Sequence, residues 1–331
     1  MTDPAVSVVM RAFNCGRYIG QAIEGILAQT FRDFEVVIVD DASTDGTEAI
    51  LQAYAQRDER IKVFRNETNQ GPVRTMNIGL RHARGELVAV HDADDVSLPH
   101  RLETQVNFLR ANPQVALIGG GAYFIDEEGE EVKVLNWGRK GPEEVRQFLE
   151  KGHSLMHTSV MFRRECIEAI GFYDEFFSYS HDYDMLIRMA DAFDIVYYEE
   201  PLVKWRWLNS GITGSKTRAQ AAFAELARVR SKAQKEGLSL DLRKEYNRLM
   251  AKRGISDINW NRRLSDSSYY YILGLLLFEL GKPQKARKRF LRALKCRDSI
   301  NAFLRALVFY VLSFVPNSIN FKPVRALRKV F

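Results

Sequence analysis

Four apolar runs rich in valine and isoleucine, residues 6–10, 34–39, 61–64 and 86–91, alternate with segments of helical periodicity, and no other feature limits the fold of this chain so strongly. Ile19, Ala22, Ile23, Ile26 and Leu27 share one face of the first intervening segment, Ile50, Leu51 and Tyr54 one face of the second, and Met76, Ile78, Leu80 and Ala83 mark a third. Strand, helix, strand in repetition predicts an α/β chain built on a mainly parallel, doubly wound sheet, because parallel partners need a crossover long enough to hold a helix. Such sheets bind ligands outside the carboxyl ends of their strands. That rule selects two acidic clusters, Asp40-Asp41 after the second run and Asp92-Ala93-Asp94-Asp95 after the fourth.

Beyond Pro99 a helix bearing Leu102, Val106 and Leu109 is predicted to end near Asn112-Pro113. Residues 115–118 and 122–125 lead to the polar turn Asp126-Glu127-Glu128-Gly129 and read as a hairpin. Residues 158–162 read as a strand, and Leu186, Ile187, Met189 and Ala190 are spaced for an amphipathic helix over residues 181–192. The strand pattern stops around Trp207, and from Thr217 onward the chain is almost purely helical. The expected division is an α/β domain, residues 1–215, and a helical appendage, residues 216–331. Within the appendage Tyr270, Leu273, Gly274, Leu277, Ala286, Phe290 and Ala293 follow tetratricopeptide spacing over about residues 267–296, with Asp298 where that pattern prefers proline. A solenoid needs roughly three such repeats, so a single hairpin is expected to pack on the main domain; a protein partner bound by it is the alternative.

Charge separates the same two halves. The net +6 combines +12 in residues 282–331, where 13 Lys and Arg face Asp298 alone, with −6 in residues 1–281. Three distant cysteines, Cys15, Cys166 and Cys296, fit neither a disulfide framework nor a zinc spacing and point to a reducing cytoplasm. The start of the chain lacks the features of a signal peptide. Residues 306–321 carry no charge, but Ser313, Pro316, Asn317, Ser318 and Asn320 interrupt them, short of the ~20 apolar residues of a spanning helix.

With 19 Asp in the chain, about one Asp-x-Asp arises by chance, so position must carry the argument. Asp92, Asp94 and Asp95 follow a buried strand directly, where clustered carboxylates repel unless a cation or solvent neutralises them. They read equally as a solvated turn with one helix-capping Asp, or as a site where one or two carboxylates hold Mg²⁺ or Mn²⁺ beside diphosphate oxygens. Asp40-Asp41-Ala42-Ser43-Thr44-Asp45-Gly46 suits a strand end and a helix capped by Ser43 or Thr44. A carboxylate there also suits a base N–H or a ribose hydroxyl. Neither G-x-G-x-x-G nor G-x-x-x-x-G-K-[ST] follows a strand, which disfavours dinucleotide oxidoreductases and P-loop ATPases.

Six ordered segments together resemble the family 2 glycosyltransferases, inverting enzymes of the Rossmann-like GT-A fold. They are Val6-Ser7-Val8-Val9-Met10-Arg11-Ala12-Phe13-Asn14; Ala28-Gln29-Thr30-Phe31 with residues 34–45; Asn77-Ile78-Gly79-Leu80 with Ala83-Arg84-Gly85-Glu86; residues 91–102; His157-Thr158-Ser159-Val160-Met161-Phe162-Arg163; and His181-Asp182-Tyr183-Asp184. The resemblance spans about residues 5–210. It implies a nucleotide-sugar donor, most often a UDP-sugar, with Phe13 in the uracil pocket and Asp41 on the base or ribose. Asp92 would lie near ribose and phosphates, Asp94 would ligate Mn²⁺ or Mg²⁺, and Asp182 would be the general base for the acceptor hydroxyl. His157 would stand near the acceptor or the donor phosphates. Arg11 replaces a frequent proline of the family, and Leu208 stands where histidine is common after Trp205-Arg206-Trp207. Residues 182 and 184 do not share a helix face, so a joint metal role for Asp182 and Asp184 is not expected.

The basic stripe Lys285, Arg287, Lys288, Arg289, Arg292 and Lys295 carries no nucleic-acid motif and reads either as a solvated face or as a contact with an anionic membrane surface. The membrane reading agrees with a glycan or lipid-linked saccharide acceptor for bacterial surface polysaccharide, handled by a peripheral enzyme on the inner face of the cell membrane. The rival readings are transfer to polyprenyl phosphate, and a non-catalytic helical scaffold carrying a relic nucleotide-sugar site.

Overall fold

The computed structural model describes residues 3–209, 217–252, 266–296 and 298–314. The chain forms two compact units, Met1–Trp207 with Lys216–Trp260, and Leu208–Ser215 with Asn261–Phe331.

The first unit is built on a nine-stranded sheet in the order β3-β2-β1-β4-β8-β6-β9-β5, with β7 paired to β6. β1 (Val6–Ala12), β2 (Phe34–Asp40), β3 (Ile61–Arg65) and β4 (Leu87–Asp92) are the four predicted runs, each extended by a residue or two at its carboxyl end, and they pair in parallel. The crossovers are α1 (Ile19–Leu27), α2 (Thr47–Arg57) and α3 (Pro72–His82). Their apolar faces bury Ile19, Ala22, Ile23, Ile26, Leu51, Met76 and Leu80 against the sheet. The other half is mixed. β6 (Val115–Ile125) runs parallel to β9 (Asp194–Arg206) but antiparallel to β7 (Glu131–Leu135) and β8 (Met161–Arg163), and short β5 (Val96–Ser97) pairs antiparallel with β9. The predicted hairpin is β6–β7, turned by Asp126, whose Oδ1 accepts from the amides of Glu128 and Glu130 at 3.0 and 3.1 Å.

Two local expectations are corrected. Residues 157–159 form a 3₁₀ turn before β8 rather than strand, because the Ser159 hydroxyl closes back on the carbonyls of Met156 and Gly120. The cap of α2 is neither Ser43 nor Thr44: Gly46, at φ 91°, is the capping residue, Asp45 accepts from the Thr47 amide, and the Ser43 hydroxyl is turned onto Asp40.

After α4 (Arg101–Ala111), α5 (Pro142–Glu150), α6 (Arg164–Ile170) and α7 (His181–Ala192), the strand pattern ends at β9, but the compact unit continues. α8 (Thr217–Lys235) and α9 (Leu242–Lys252) place Phe223, Leu226, Ala227 and Leu249 in the same buried cluster as Leu149, Ile187 and Ala190. The end of strand periodicity thus marks the end of the sheet, whereas the first unit takes these two helices beyond the expected boundary at 215.

The second unit contains α10 (Asp266–Glu279), α11 (Pro283–Cys296) and α12 (Ile300–Leu312). α10 and α11 form the expected hairpin. Ala286, Phe290 and Ala293 are fully buried, and a Cβ at Gly274 would stand 2.5 Å from the Phe290 ring, so only glycine permits that approach. Asp298, the departure from the repeat pattern, caps α10: its carboxylate accepts from the amides of Asp266 and Ser267 at 2.7 and 3.2 Å.

Candidate active site

The carboxyl ends of β1, β2 and β4 carry the candidate residues, as parallel topology requires. The loops after β1 and β2 are latched together. The Asn14 amide donates to Ser43 Oγ at 2.9 Å, Asn14 Oδ1 accepts from the Thr44 amide at 2.8 Å, and Asp45 Oδ2 accepts from the Gly16 amide at 3.0 Å. The latch holds Asn14 and Ala42 in left-handed backbone conformation, at φ 47° and 60°. It leaves Phe13, the last predicted pocket residue before the loop, 49% exposed. A half-exposed aromatic ring offers a stacking surface for a flat ligand.

Asp41 is buried and already committed. Its Oδ1 accepts from Asn66 Nδ2 and the Gln70 amide, both at 2.7 Å, and its Oδ2 from the Gly71 amide at 2.9 Å. Gly71, at φ 82°, opens α3, so Asp41 fixes the loop that starts that helix.

Asp92 ends β4, and Asp94 and Asp95 lie in the turn between β4 and β5. Burial alone would raise the Asp92 carboxyl, but His157, Arg11 and His91 hold it well below the usual range. Arg11 Nη2 lies 3.7 Å from Asp92 Oδ1 and His157 Nδ1 lies 3.9 Å from Oδ2. Burial and then the charge on Asp92 push Asp94 up to about 6, and burial with both neighbouring acids holds Asp95 well above the ordinary carboxylate range. Among the described residues, Asp92 Oδ1 and Asp95 Oδ2 are buried with no hydrogen-bond partner.

Arg206 braces this turn from β9. Its amide donates to Asp95 Oδ1 at 2.7 Å, and its guanidinium donates to the carbonyls of Asp94, Asp126 and Glu127 and to Gln21 Oε1, at 2.8 to 3.2 Å. The same guanidinium lies 4.8 Å from the centroid of the Tyr18 ring.

A cluster of rings links the turn to α7. His157 Nε2 is hydrogen-bonded to the Tyr173 hydroxyl at 2.8 Å, and the His157, Tyr173 and His181 rings meet edge to face with centroids 5.7 to 5.9 Å apart. Asn77 fixes this arrangement by bonding both the carbonyl and the amide of Tyr173, at 2.8 and 3.0 Å. Burial lowers His181 to about 4, which favours the neutral imidazole, and among the described residues its Nδ1 has no hydrogen-bond partner. Asp182 follows it in the first turn of α7, partly exposed and close enough for its charge to act on both His181 and Tyr173. Ser180, which precedes this turn, has φ 54°; with Asn14 and Ala42 it completes the non-glycine residues of left-handed backbone among the described residues. Such strain gathers at functional sites. Asp184 points elsewhere: Arg188 Nε donates to it at 3.0 Å, and Arg230 donates to its other oxygen.

The structure thus brings Asp92, Asp94 and His157 together and places Asp182 within the electrostatic reach of the same rings, while Asp41 serves its own loop. Sequence reasoning missed Arg206, Tyr173 and Asn77 and noted Arg11 only as a departure. Of these, Arg11 had a signal, a cation at the carboxyl end of a buried strand.

Comparison with known proteins bears on the identity of this site. Residues 7–171 match the family described as glycosyl transferase family 2. The chain is 34% identical over 227 residues to an uncharacterised glycosyltransferase of Methanocaldococcus jannaschii, covering 68% of this chain and 78% of that protein. Two solved structures share its fold. One is S. aureus TarS 1–349 in complex with UDP-GlcNAc, at 18% identity and TM-score 0.55, covering 93% of this chain and 90% of that one; the chain spans 54% of a longer TarS chain. The other is the mannosyltransferase PcManGT from Pyrobaculum calidifontis in complex with GDP-Man and Mn²⁺, at 17% identity and TM-score 0.54, covering 99% and 84%. At such identities these two establish the GT-A fold. The similarity to the archaeal relative, over most of both chains, establishes more: this chain is a glycosyltransferase and belongs to family 2.

Proposed function

We propose that the enzyme transfers a sugar from a nucleotide-sugar donor, a UDP-sugar, to a hydroxyl of a growing bacterial surface glycan with inversion at the anomeric carbon. The observation that carries this reading is the ring cluster of His157, Tyr173 and His181, which ties the acidic turn after β4 to the helix that presents Asp182.

Phe13 stacks on the donor base, and the latched loops after β1 and β2 keep its ring in place. Asp41 shapes the wall of the donor pocket through the loop at residues 66–71, and Asp92 faces the ribose and phosphates. The donor set fits a hard divalent cation: Asp94 is pushed up by burial and then by the charge of Asp92, and among the described residues two carboxylate oxygens of the cluster lack hydrogen-bond partners. Among the described residues no three His, Cys, Asp or Glu side chains group as a metal cage, so the remaining ligands would be donor oxygens and water. Bound through Asp94, Mn²⁺ or Mg²⁺ would supply Lewis-acid neutralisation of the departing diphosphate. Asp182 accepts the proton of the acceptor hydroxyl as that oxygen bonds to the anomeric carbon and the glycosidic electron pair leaves with the diphosphate. A single displacement inverts the configuration. His157, held by Tyr173, sets the charge of Asp92.

The acceptor class we infer is a lipid-linked saccharide at an anionic membrane surface on the cytoplasmic side. The support is the +12 of residues 282–331. The test incubates the full chain with a panel of UDP- and GDP-sugars, Mn²⁺, Mg²⁺ or EDTA, and saccharide-lipid or polyprenyl-phosphate acceptors, with mass and anomer read by mass spectrometry and NMR. Transfer that persists in EDTA removes the metal role, retention of configuration removes the single displacement, and product on polyprenyl phosphate alone replaces the acceptor.

A further inference from the structure

Helix α12 turns one face inward: Ala302, Ala306 and Phe309 are buried, and the Phe309 ring packs on Tyr271, Phe278 and Phe290. Its opposite face is apolar as well. Leu304, Leu307, Val308 and Val311, at helical spacing, and Phe314 just past the helix end are each between 42% and 58% exposed. A single exposed leucine is ordinary, but five large apolar side chains on successive turns of one face form a continuous strip that water does not favour.

Arg305 and Arg287 stand beside the strip, and further cations are exposed on α11. Arg305 is exposed beside Leu304 in the chain, and Lys288 and Lys295 are exposed on α11. Arg287 of α11 donates to the Ser313 carbonyl at 3.1 Å and lies 3.9 Å from the centroid of the exposed Phe314 ring. Neither helix contains an Asp or Glu.

We propose that α12 is an interfacial membrane helix, whose apolar strip enters the boundary between headgroups and acyl chains of an anionic bilayer while these Arg and Lys meet lipid phosphates. Its 13 residues fall short of the ~20 of a span, so it lies along the surface. Two copies docked strip to strip would bring Arg287 and Arg305 of one against those of the other, which opposes self-association, whereas an anionic bilayer attracts all of them. This deepens the lipid-linked acceptor reading and rests on it for its purpose only, since bilayer binding needs no turnover.

Flotation of the full chain with phosphatidylglycerol or phosphatidylcholine vesicles, with sedimentation velocity without lipid, tests it. The expected result is recovery with phosphatidylglycerol vesicles, on the order of tenfold weaker with phosphatidylcholine, falling with salt. The variant Leu304→Ser, Val308→Ser, Val311→Ser changes exposed side chains only; its helical circular dichroism is retained and its flotation lost. A charge variant, Lys288→Gln with Arg305→Gln, floats less in low salt and equally in high salt. Undiminished flotation of the triple serine variant overturns the proposal. So does a wild-type dimer that the serine variant dissociates while neither floats. So too does loss of flotation in Lys322→Gln, Arg325→Gln, Arg328→Gln, Lys329→Gln with the serine variant still bound. Because none of these readings involves donor or acceptor, failure here leaves the transferase reading intact, and failure of transfer leaves this one intact.

Discussion

Asp92 Oδ2 stands 3.9 Å from His157 Nδ1, and the imidazole is held at that separation from its far side by the Tyr173 hydroxyl, 2.8 Å from Nε2. With the tyrosine donating to Nε2, the Nδ1–H faces a carboxylate whose proton affinity burial would otherwise raise. The residue that lowers Asp92 is therefore itself positioned by a third, the relay of supporting contacts through which sites of clustered charge are tuned.

His157→Ala is expected to lower kcat/KM by about 10- to 100-fold, the usual cost of losing such a supporting partner. Tyr173→Phe keeps the imidazole but frees it to rotate, and its loss should be several-fold smaller. Steady-state kinetics with saturating Mn²⁺ checks both, and full activity in His157→Ala ends the positioning role.

Much of this was readable before any coordinates. Three of the four parallel strands, β1, β2 and β4, were legible because strands buried on both faces are mostly apolar, while β3, at the sheet edge, buries only Ile61 and is not the buried strand expected; strand-end topology alone selected the turn bearing Asp92 and Asp94. The rest depends on contacts that no local pattern records. Arg206 reaches an Asp95 carboxylate 111 residues away, and Asn77 reaches Tyr173 across 96. Thr158 and Ser159 read as strand because Val160, Met161 and Phe162 dominate their window, while the Ser159 hydroxyl sets the turn through two carbonyls that are invisible in sequence. The packing of α8 on the first unit was likewise hidden, because a helical pattern names its apolar face and not what covers it.

Asp94 makes the metal-free protein sensitive to pH. Its carboxyl is raised to about 6 in the fold from an ordinary value near 4, so the folded state binds the proton more tightly. Its contribution is fully present below the ordinary value and is lost as pH rises through about 6. Asp94→Asn should accordingly melt a few degrees above wild type at pH 7.5 and close to it at pH 4.5. Mn²⁺ should add to the shift that UDP gives the wild type at pH 7.5 and add nothing to it in the variant. Scanning fluorimetry at the two pH values decides, and an unchanged gap would refute the assignment.

His181 acts in the opposite sense over part of that range. Burial lowers it to about 4 from an ordinary 6.5, so its stabilising contribution is present above 6.5 and lost as pH falls through about 4. His181→Gln should flatten the stability–pH slope on the acid side, by at most about 1.4 kcal/mol per pH unit for one proton. Urea midpoints at pH 6.5, 5 and 4 measure it. Parallel curves for the two proteins would contradict the buried neutral imidazole.

Asp41 separates a structural from a direct donor role. Three donors converge on its carboxylate, and Asp41→Ala would strand the Gln70 and Gly71 amides at about 1–3 kcal/mol. The expected result is a lower melting temperature together with a raised donor KM, both following from a displaced loop. Weakened UDP binding at unchanged stability would instead assign Asp41 to the base or ribose directly.

Asp182 and Asp184 lie two residues apart on α7 and should respond in opposite ways. Asp184 is buried between Arg188 and Arg230, so Asp184→Asn leaves two guanidinium groups under-compensated and should destabilise the fold with a modest effect on kcat. Asp182 is partly exposed, beside His181 and Tyr173, and no ion pair among the described residues engages it. Asp182→Asn should retain stability and UDP affinity yet lower kcat by about 10²- to 10⁴-fold, the range for a lost general base. A nucleotide titration beside the steady-state assay separates binding from chemistry. An Asp182→Asn enzyme that keeps more than about a tenth of wild-type kcat would move the proton acceptor elsewhere, because a positioned base contributes at least ten times that margin.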